Sequence, residues 1–300
     1  MTKDHQEKQF WDKPSPPFVE LQGGLPYDFV LYRGERYLAS LRIGSESGLA
    51  PLERGQLRIT QSDQSGFLIE TPNASLLFDW YRSALPPLRR DKPLHVFISH
   101  IHQDHFNRSL LRLADHFPEV SIYLGYDYSQ DGLNAFLEKL PEPCADTVSC
   151  FQGTLPLEIE GGWVRSLEST DLGVAFLVEL DGLRFFHGGD LFPWQGSEEA
   201  FLEFISPLKD LRIDYAMLPL DPRFPEAARF GLTAYLSQAE IGCFTPMHLW
   251  NRPEFVKSFF AAHRELGQRM RFVFPGEPEQ TLRIGGRSGL LRSAAYPKAV

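Results

Sequence analysis

The sequence predicts an α/β fold arranged as a four-layer αββα sandwich. Two observations predict it. Short β-prone runs come in groups with helical stretches between them, the pattern of sheets covered by helices. Several of those runs also end in small or metal-ligating residues, as strands do when they feed one site from their exits. No internal repeat is visible beyond a weak duplication of the two sandwich halves.

The regular pattern begins at Gln56. Leu57 to Thr60 and Gly66 to Glu70 read as strands, and Ala74 to Asp79 as a third after a turn at Pro72-Asn73. Leu94 to Ser99 is short, apolar and β-prone, as a buried strand would be. Asn107 is placed to cap a helix running through Leu113 to about His116. Val120 to Leu124 is a strand and Leu133 to Leu140 a helix with Phe136 and Leu137 on its apolar side. Strands follow at Leu155–Ile159, Trp163–Leu167, Val174–Leu180 and from Leu183, then a helix from Ser197 to Ile205. Tyr215 to Leu220 is a strand, Thr233 to Ile241 a helix, Cys243 to His248 a strand and Glu254 to Leu266 an amphipathic helix. Strands near Phe272–Phe274 and Leu282–Ile284 close the domain, and the chain from Arg287 reads as a frayed tail.

One stretch carries most of the chemical information: His100-Ile101-His102-Gln103-Asp104-His105, directly after the Leu94–Ser99 strand. Alternate side chains of an extended segment share a face, so His100 and His102 can close on one metal ion. Asp104 and His105 follow where the chain turns and are placed to serve a second ion. Imidazole with carboxylate suits zinc, with manganese or iron as alternatives. Further along, Leu183 to Asp190 is a strand ending in Gly188-Gly189-Asp190, where glycine lets the backbone approach whatever Asp190 binds. His95, His116 and His263 read as structural or surface residues, and His187 as supporting or packing near the site. Asp221 and Arg223 stand at a strand exit, where an Asp-Pro turn competes with a role in lining a pocket. Trp250 is a candidate pocket wall.

The run from His100 to His105 resembles the H-x-H-x-D-H signature of the metallo-β-lactamase-fold hydrolases, and the resemblance spans about Gly55 to Gly286. In style the chain is similar to the branch that contains ascorbate-phosphate lactonase-like proteins. The resemblance implies several roles. Asp79 would orient the histidine loop, Asp190 would bridge two metals, and His248, in a Pro246-Met247-His248 ending, would be a ligand of the second. It also implies two divalent metal ions and a metal-activated water attacking a small ester, lactone or phosphoester, with Asp104 or Asp190 accepting the proton.

The chain departs from the pattern at one place. Relatives supply another histidine between the cluster and the bridging Asp, whereas His116 is badly placed for that and Asp171 stands about where the histidine belongs. Three readings remain: Asp171 completes the first site, that site is weak, or one metal binds. A carboxylate there would shift the preference towards harder metals such as manganese.

Composition narrows the function. Hydrophobic residues make up 43% of 300 residues, enough for a sizeable core, and the formal net charge is -9. The acidic balance and lack of a long basic run argue against a nucleic-acid surface, so a nuclease or phosphodiesterase of the same fold is the weaker enzyme reading. A non-catalytic metal-binding sensor is the alternative outside enzymes. Three cysteines, Cys144, Cys150 and Cys243, lack metal-type spacing and fit free thiols in a reducing compartment. With no apolar signal core and no membrane-length run, the expectation is a cytoplasmic protein acting on a small molecule away from membranes. Residues 1–54, with the stiff Lys13-Pro14-Ser15-Pro16-Pro17, read as an N-terminal extension, and 55–300 as the hydrolase-like domain.

Overall fold

The structure is a computed structural model. It describes residues 51–53, 56–62, 64–81, 84–85, 87–125, 148–151 and 156–270, and the strand backbones 18–20, 27–33, 36–43, 272–273 and 281–285. The proline-rich stretch at 13–17, the helix expected at 133–140, Cys144 and the tail from 287 lie outside these residues.

In chain order the strands are β1 (Phe18–Glu20), β2 (Tyr27–Arg33), β3 (Arg36–Ile43), β4 (Gln56–Gln61), β5 (Phe67–Glu70), β6 (Ser75–Phe78), β7 (Ala84–Leu85), β8 (Leu94–Ile98) and β9 (Val120–Gly125). Then come β10 (Val148–Phe151), β11 (Leu157–Ile159), β12 (Gly162–Glu168), β13 (Val174–Leu180), β14 (Leu183–His187), β15 (Arg212–Pro219), β16 (Glu240–Met247), β17 (Phe272–Val273) and β18 (Thr281–Gly285). The α-helices are α1 (Glu198–Ile205), α2 (Pro225–Gln238), α3 (Glu254–Ala262) and α4 (Arg264–Gly267). Two seven-stranded sheets form the middle layers, ordered β10-β9-β8-β6-β5-β4-β18 and β11-β12-β13-β14-β15-β16-β17.

The period of two along each strand sorts side chains between layers. On β8, Leu94, Val96 and Ile98 face outwards, under Leu110, Leu111 and Leu113 of a 3-10 helix, Arg108–Asp115. Phe97 faces inwards, with Phe67, Ile69, Leu76 and Phe78, against Phe176, Phe185, Tyr215 and Met217 of the second sheet. The far face of that sheet packs under the helices through Phe201, Leu232, Tyr235 and Phe259. These layers are the metallo-β-lactamase fold that the sequence predicts, α/β in class. Asn107 caps as expected, its side chain accepting from Ser109 N, although the turn it starts is 3-10 and not α.

A smaller sheet, β1-β2-β3-β7, takes β7 from within the 55–300 region, and the backbones of β2 and β3 run beside the 3-10 helix. Among the described residues no helix is long and apolar enough to cross a membrane. Cys150 and Cys243 are free thiols.

Two helix boundaries differ from expectation. The helix expected at Thr233–Ile241 is α2, Pro225–Gln238. Pro225 starts it at a position where a missing N–H costs nothing, and Ile241 is drawn into β16 opposite Ile213. The helix expected at Glu254–Leu266 breaks at His263, whose φ of −127° and ψ of 57° are not helical.

The strands that carry the site run parallel: β6 beside β8, and β14 beside β15 beside β16. Their carboxyl ends therefore open on one edge of the sandwich, at Asp79, Ser99, Gly188, Leu220 and His248. The two sheets touch there. Val174 N donates to Ser99 O across 3.0 Å. Gly173 makes this possible: its φ is +72°, and a Cβ would lie 1.9 Å from Ser99 O and 2.6 Å from the His100 Cβ.

Two predictions come from this packing. Gly173→Ala combines a left-handed backbone with a backbone clash and is expected to destabilise by about 2–4 kcal/mol. A shift of the urea midpoint measures it; a loss below about 0.5 kcal/mol would contradict the close approach. The second concerns His95, buried beside Tyr123, its Nδ1 3.1 Å from the phenol oxygen. Burial lowers its pKa from 6.5 to about 4. Between those values the unfolded chain binds a proton that the native one refuses, so stability falls as pH falls. Relative to His95→Gln, the wild type should lose on the order of 3 kcal/mol from pH 6.5 to 4. Parallel pH-stability curves would contradict it.

Candidate metal centre

Asp79 ends β6 in a left-handed conformation, φ 40°, with its carboxylate buried. It accepts three hydrogen bonds from the histidine loop: Ser99 N at 2.7 Å, Ser99 Oγ at 2.6 Å and His105 Nδ1 at 2.7 Å. The role expected of Asp79, orienting that loop, is the arrangement seen. Burial opposes its charge, but His187, His105 and His100 around it hold its pKa below the usual carboxylate value.

These bonds fix which nitrogens face the site. The Ser99 hydroxyl donates to Asp79, so its oxygen is left to accept from His100 Nδ1 at 2.9 Å. His105 likewise spends its Nδ1–H on Asp79. Both rings therefore present Nε2, with a lone pair when neutral, away from this scaffold. Supporting bonds of this kind set tautomer and ring angle at metal-binding histidines.

Two groups of candidate ligand atoms result, the atoms of each lying within 4.8 Å of one another: His100, His102 and Asp190, and Asp104, His105 and His248. In the first, His100 Nε2 is 2.9 Å from His102 Nδ1 and 3.5 Å from Asp190 Oδ2. In the second, His105 Nε2 is 3.8 Å from Asp104 Oδ2. Asp190 also turns its other oxygen, Oδ1, towards this second group, 3.3 Å from His105 Nε2 and 3.0 Å from His248 Nε2. One carboxylate thus faces both groups, an oxygen to each.

The residues fit divalent cations. His105 Nε2, His248 Nε2 and Asp190 Oδ1 are buried without a hydrogen-bond partner, which is costly unless something else satisfies them. Ligands about 2.0–2.1 Å from a tetrahedral ion are about 3.3 Å apart, close to the separations observed. The carboxylates make the pocket favour positive charge, whether a proton on His105 or a cation in its place. Burial works against the Asp190 charge, yet His105 and His248 hold its pKa well below the carboxylate range. Burial also works against a charged His105, but Asp190 and Asp79 raise its pKa well above that of free imidazole.

His187, at the end of β14, is a support and not a member of either group. Its Nε2–H donates to Ser65 O at 2.8 Å and its Nδ1 accepts from Gly189 N at 3.2 Å, while Phe78 stacks on the ring at 5.3 Å. Burial lowers its pKa, consistent with a neutral ring. Gly189, φ +53°, lets the turn pass Ser99 at a distance where a Cβ would lie 2.9 Å from the serine Cβ. His248 leaves β16 with φ 58°, and Gln64 O accepts its N–H at 3.2 Å.

Six of the seven ligands expected from the sequence come together. Asp171 does not join them: it is half-buried in the bend before β13, and its carboxylate belongs to neither group. That bend is tied elsewhere, by Val174 to Ser99 and by Thr170, whose Oγ1 donates to Phe192 O at 2.6 Å and accepts from Phe192 N at 3.0 Å. Sequence reasoning gave no role to Ser99 or Ser65; a serine directly before the histidine run is the one signal for the first. Asp221 makes the turn expected of it, accepting from Arg223 N at 2.8 Å, but it is also fully buried and bonded to the side chains of Arg223 and Trp250, which nothing in the local sequence signals.

Comparison with known proteins agrees with this architecture. No curated protein matches the sequence. Among solved structures, the novel metallo hydrolase Igni18 from Ignicoccus hospitalis is 17% identical with a TM-score of 0.52, covering 77% of this chain and all of that one. YhfI of Bacillus subtilis, a metallo-β-lactamase fold protein, is 14% identical with a TM-score of 0.51, over 76% of this chain and 99% of that one. CmlA of Streptomyces venezuelae, a diiron β-hydroxylase, is 14% identical with a TM-score of 0.53, over 78% of this chain but 55% of that one. These likenesses show a shared fold. The model of the β-lactamase superfamily domain matches residues 58–221, more than half of the chain and all of the site except His248. The chain belongs to the β-lactamase superfamily.

Proposed function

We propose that this protein is a metal-dependent hydrolase with two divalent ions, one held by His100, His102 and Asp190, the other by Asp104, His105 and His248, with Asp190 shared. The observation that carries this reading is the Asp190 carboxylate, whose two oxygens face two separate sets of histidine nitrogens. When bound, such ions lower the pKa of water from 15.7 towards about 7 and polarise the bond to be cleaved. Zinc suits the imidazole and carboxylate donors, with manganese or iron as alternatives. CmlA, similar to this chain over 55% of its own length, is a diiron enzyme, which keeps iron among the candidates.

The chain's own residues divide the remaining work. Asp79 and Ser99 hold the His100 and His105 rings in place before any ligand arrives, so little reorganisation is left for the reaction. Asp104 is the ligand carboxylate most open to solvent, its side chain 32% exposed. Its backbone oxygen is pinned by the Ser65 hydroxyl at 2.5 Å. It is placed to take a proton from water and return it to solvent, with Asp190, more enclosed, as the second candidate base. The substrate class proposed is a small ester, lactone or phosphoester; the lactonase-like style of the sequence motivates the second of these. The acidic chain disfavours nucleic acid.

The test uses one set of preparations. Purified protein loaded with zinc, manganese or iron is assayed on esters, lactones and phosphodiesters, and metal per chain is measured by elemental analysis. Turnover should vanish with a chelator, return with metal, and fall by at least about 1,000-fold in Asp190→Ala. Two ions per chain are expected in wild type and in Asp171→Ala alike. A drop to one ion in Asp171→Ala would make Asp171 a ligand. Metal binding without turnover on any substrate would contradict the hydrolase reading.

A further inference from the structure

Asp221, at the exit of β15, is fully buried yet ionisable, and it is spent on two residues at the surface. Its Oδ1 accepts from Arg223 N at 2.8 Å and Arg223 Nε at 3.0 Å. Its Oδ2 accepts from Arg223 Nη2 at 2.5 Å and Trp250 Nε1 at 3.1 Å. The Arg223 guanidinium lies 3.9 Å from the Trp250 ring centroid and 5.6 Å from that of Phe224. Burying a carboxylate to fix a surface arginine adds little stability. It does remove the rotamer freedom of a long side chain before a ligand arrives.

This platform borders the metal centre on two sides. Trp250 stands 6.4 Å from His248, ring to ring. Phe224 meets Trp194 edge to face at 5.8 Å, and the Trp194 indole donates to Asp190 O at 3.2 Å. Trp250 and Phe224 are 37% and 46% exposed, so this aromatic wall faces outwards. The segment is held under strain, with positive φ at His248, Trp250 and Asn251, the kind of cost that persists where a site over-determines the backbone. Among the described residues Arg223 Nη1 has no partner. The Asp221 hydrogen bonds are the main cause of a raised Arg223 pKa, and the Asp104 and Asp190 carboxylates add smaller contributions, so the cation lies within electrostatic reach of the centre.

We propose that Arg223, stacked on Trp250 and pinned by Asp221, is a specificity-determining residue that binds an anionic oxygen group of the substrate, a carboxylate or a phosphate, beside the bond that is cleaved. One edge of the guanidinium fork is held by Asp221; the free nitrogen edge matches a carboxylate or phosphate oxygen. In naming a substrate the proposal rests on the hydrolase reading, so its test reads binding separately from turnover.

The test uses metal-loaded wild type, Arg223→Gln and Arg223→Lys, checked for equal metal content. Binding of glutarate and of inorganic phosphate is measured by calorimetry. Hydrolysis of mono-4-nitrophenyl glutarate is compared with that of 4-nitrophenyl butyrate, which lacks the charge. Arg223→Gln should bind one of the two anions about 10- to 100-fold more weakly, the range of a charged hydrogen bond, and that anion identifies the group recognised. Arg223→Lys keeps a cation beside Asp221 but not the fork, and should fall between; it serves as the test if Arg223→Gln does not fold. A carboxylate subsite also predicts a loss of kcat/KM confined to the glutarate ester. Equal binding in all three proteins, or no binding of either anion by wild type, overturns the proposal. Absent turnover with Arg223-dependent binding would remove the hydrolase reading and leave the anion site standing.

Discussion

The hydrogen bonds accepted by the buried Asp79 carboxylate are the constraint on which the rest of this structure depends. They join the end of β6 to the amide and hydroxyl of Ser99 and to the ring of His105. From that single group follow the tautomers of His100 and His105 and the direction in which both rings point. A buried carboxylate without such donors would cost several kcal/mol, so the donors and the acceptor stand or fall together. Removing Asp79 would leave three donors unmatched in the core as well as disordering the loop.

The fold delivers the other half of the site to the same edge. Parallel strands β14, β15 and β16 end at Gly188, Leu220 and His248, and the close approach of Gly173 to Ser99 locks the second sheet to the first. Asp190 then lies between two sets of nitrogens it did not assemble. The same strand ends supply the Asp221, Arg223 and Trp250 platform beside it. The proposed metal ligands and the proposed anion-binding Arg223 are thus products of one topological feature, the shared carboxyl edge of two sheets.

Much of this was legible in the sequence because it is local. The His100–His105 spacing, the Gly-Gly-Asp ending and the Pro-Met-His ending are written in contiguous residues, and the grouping of short β-prone runs with helical stretches between them gives the layers. What was not legible depends on residues far apart. Ser99 is a hub only because Asp79, Gly173 and Gly189 arrive from three other elements. The burial of Asp221 appears only once Trp250, far along the chain, bonds to it. The start of α2 was misplaced because the Asp-Pro turn concealed Pro225 as a first helical residue, and its end because pairing of Ile241 with Ile213 overrides helical periodicity. Asp171 matched the expected place of a missing ligand in sequence, but the bend that carries it is anchored to Ser99 and Phe192 instead.

Electron paramagnetic resonance of protein titrated with manganese tests most directly whether two adjacent ions share Asp190. Ions about 3.5–4 Å apart couple to each other. An exchange-coupled signal that saturates at two ions per chain and is lost in Asp190→Ala is the expected result. A spectrum of isolated ions that saturates at one per chain would contradict it.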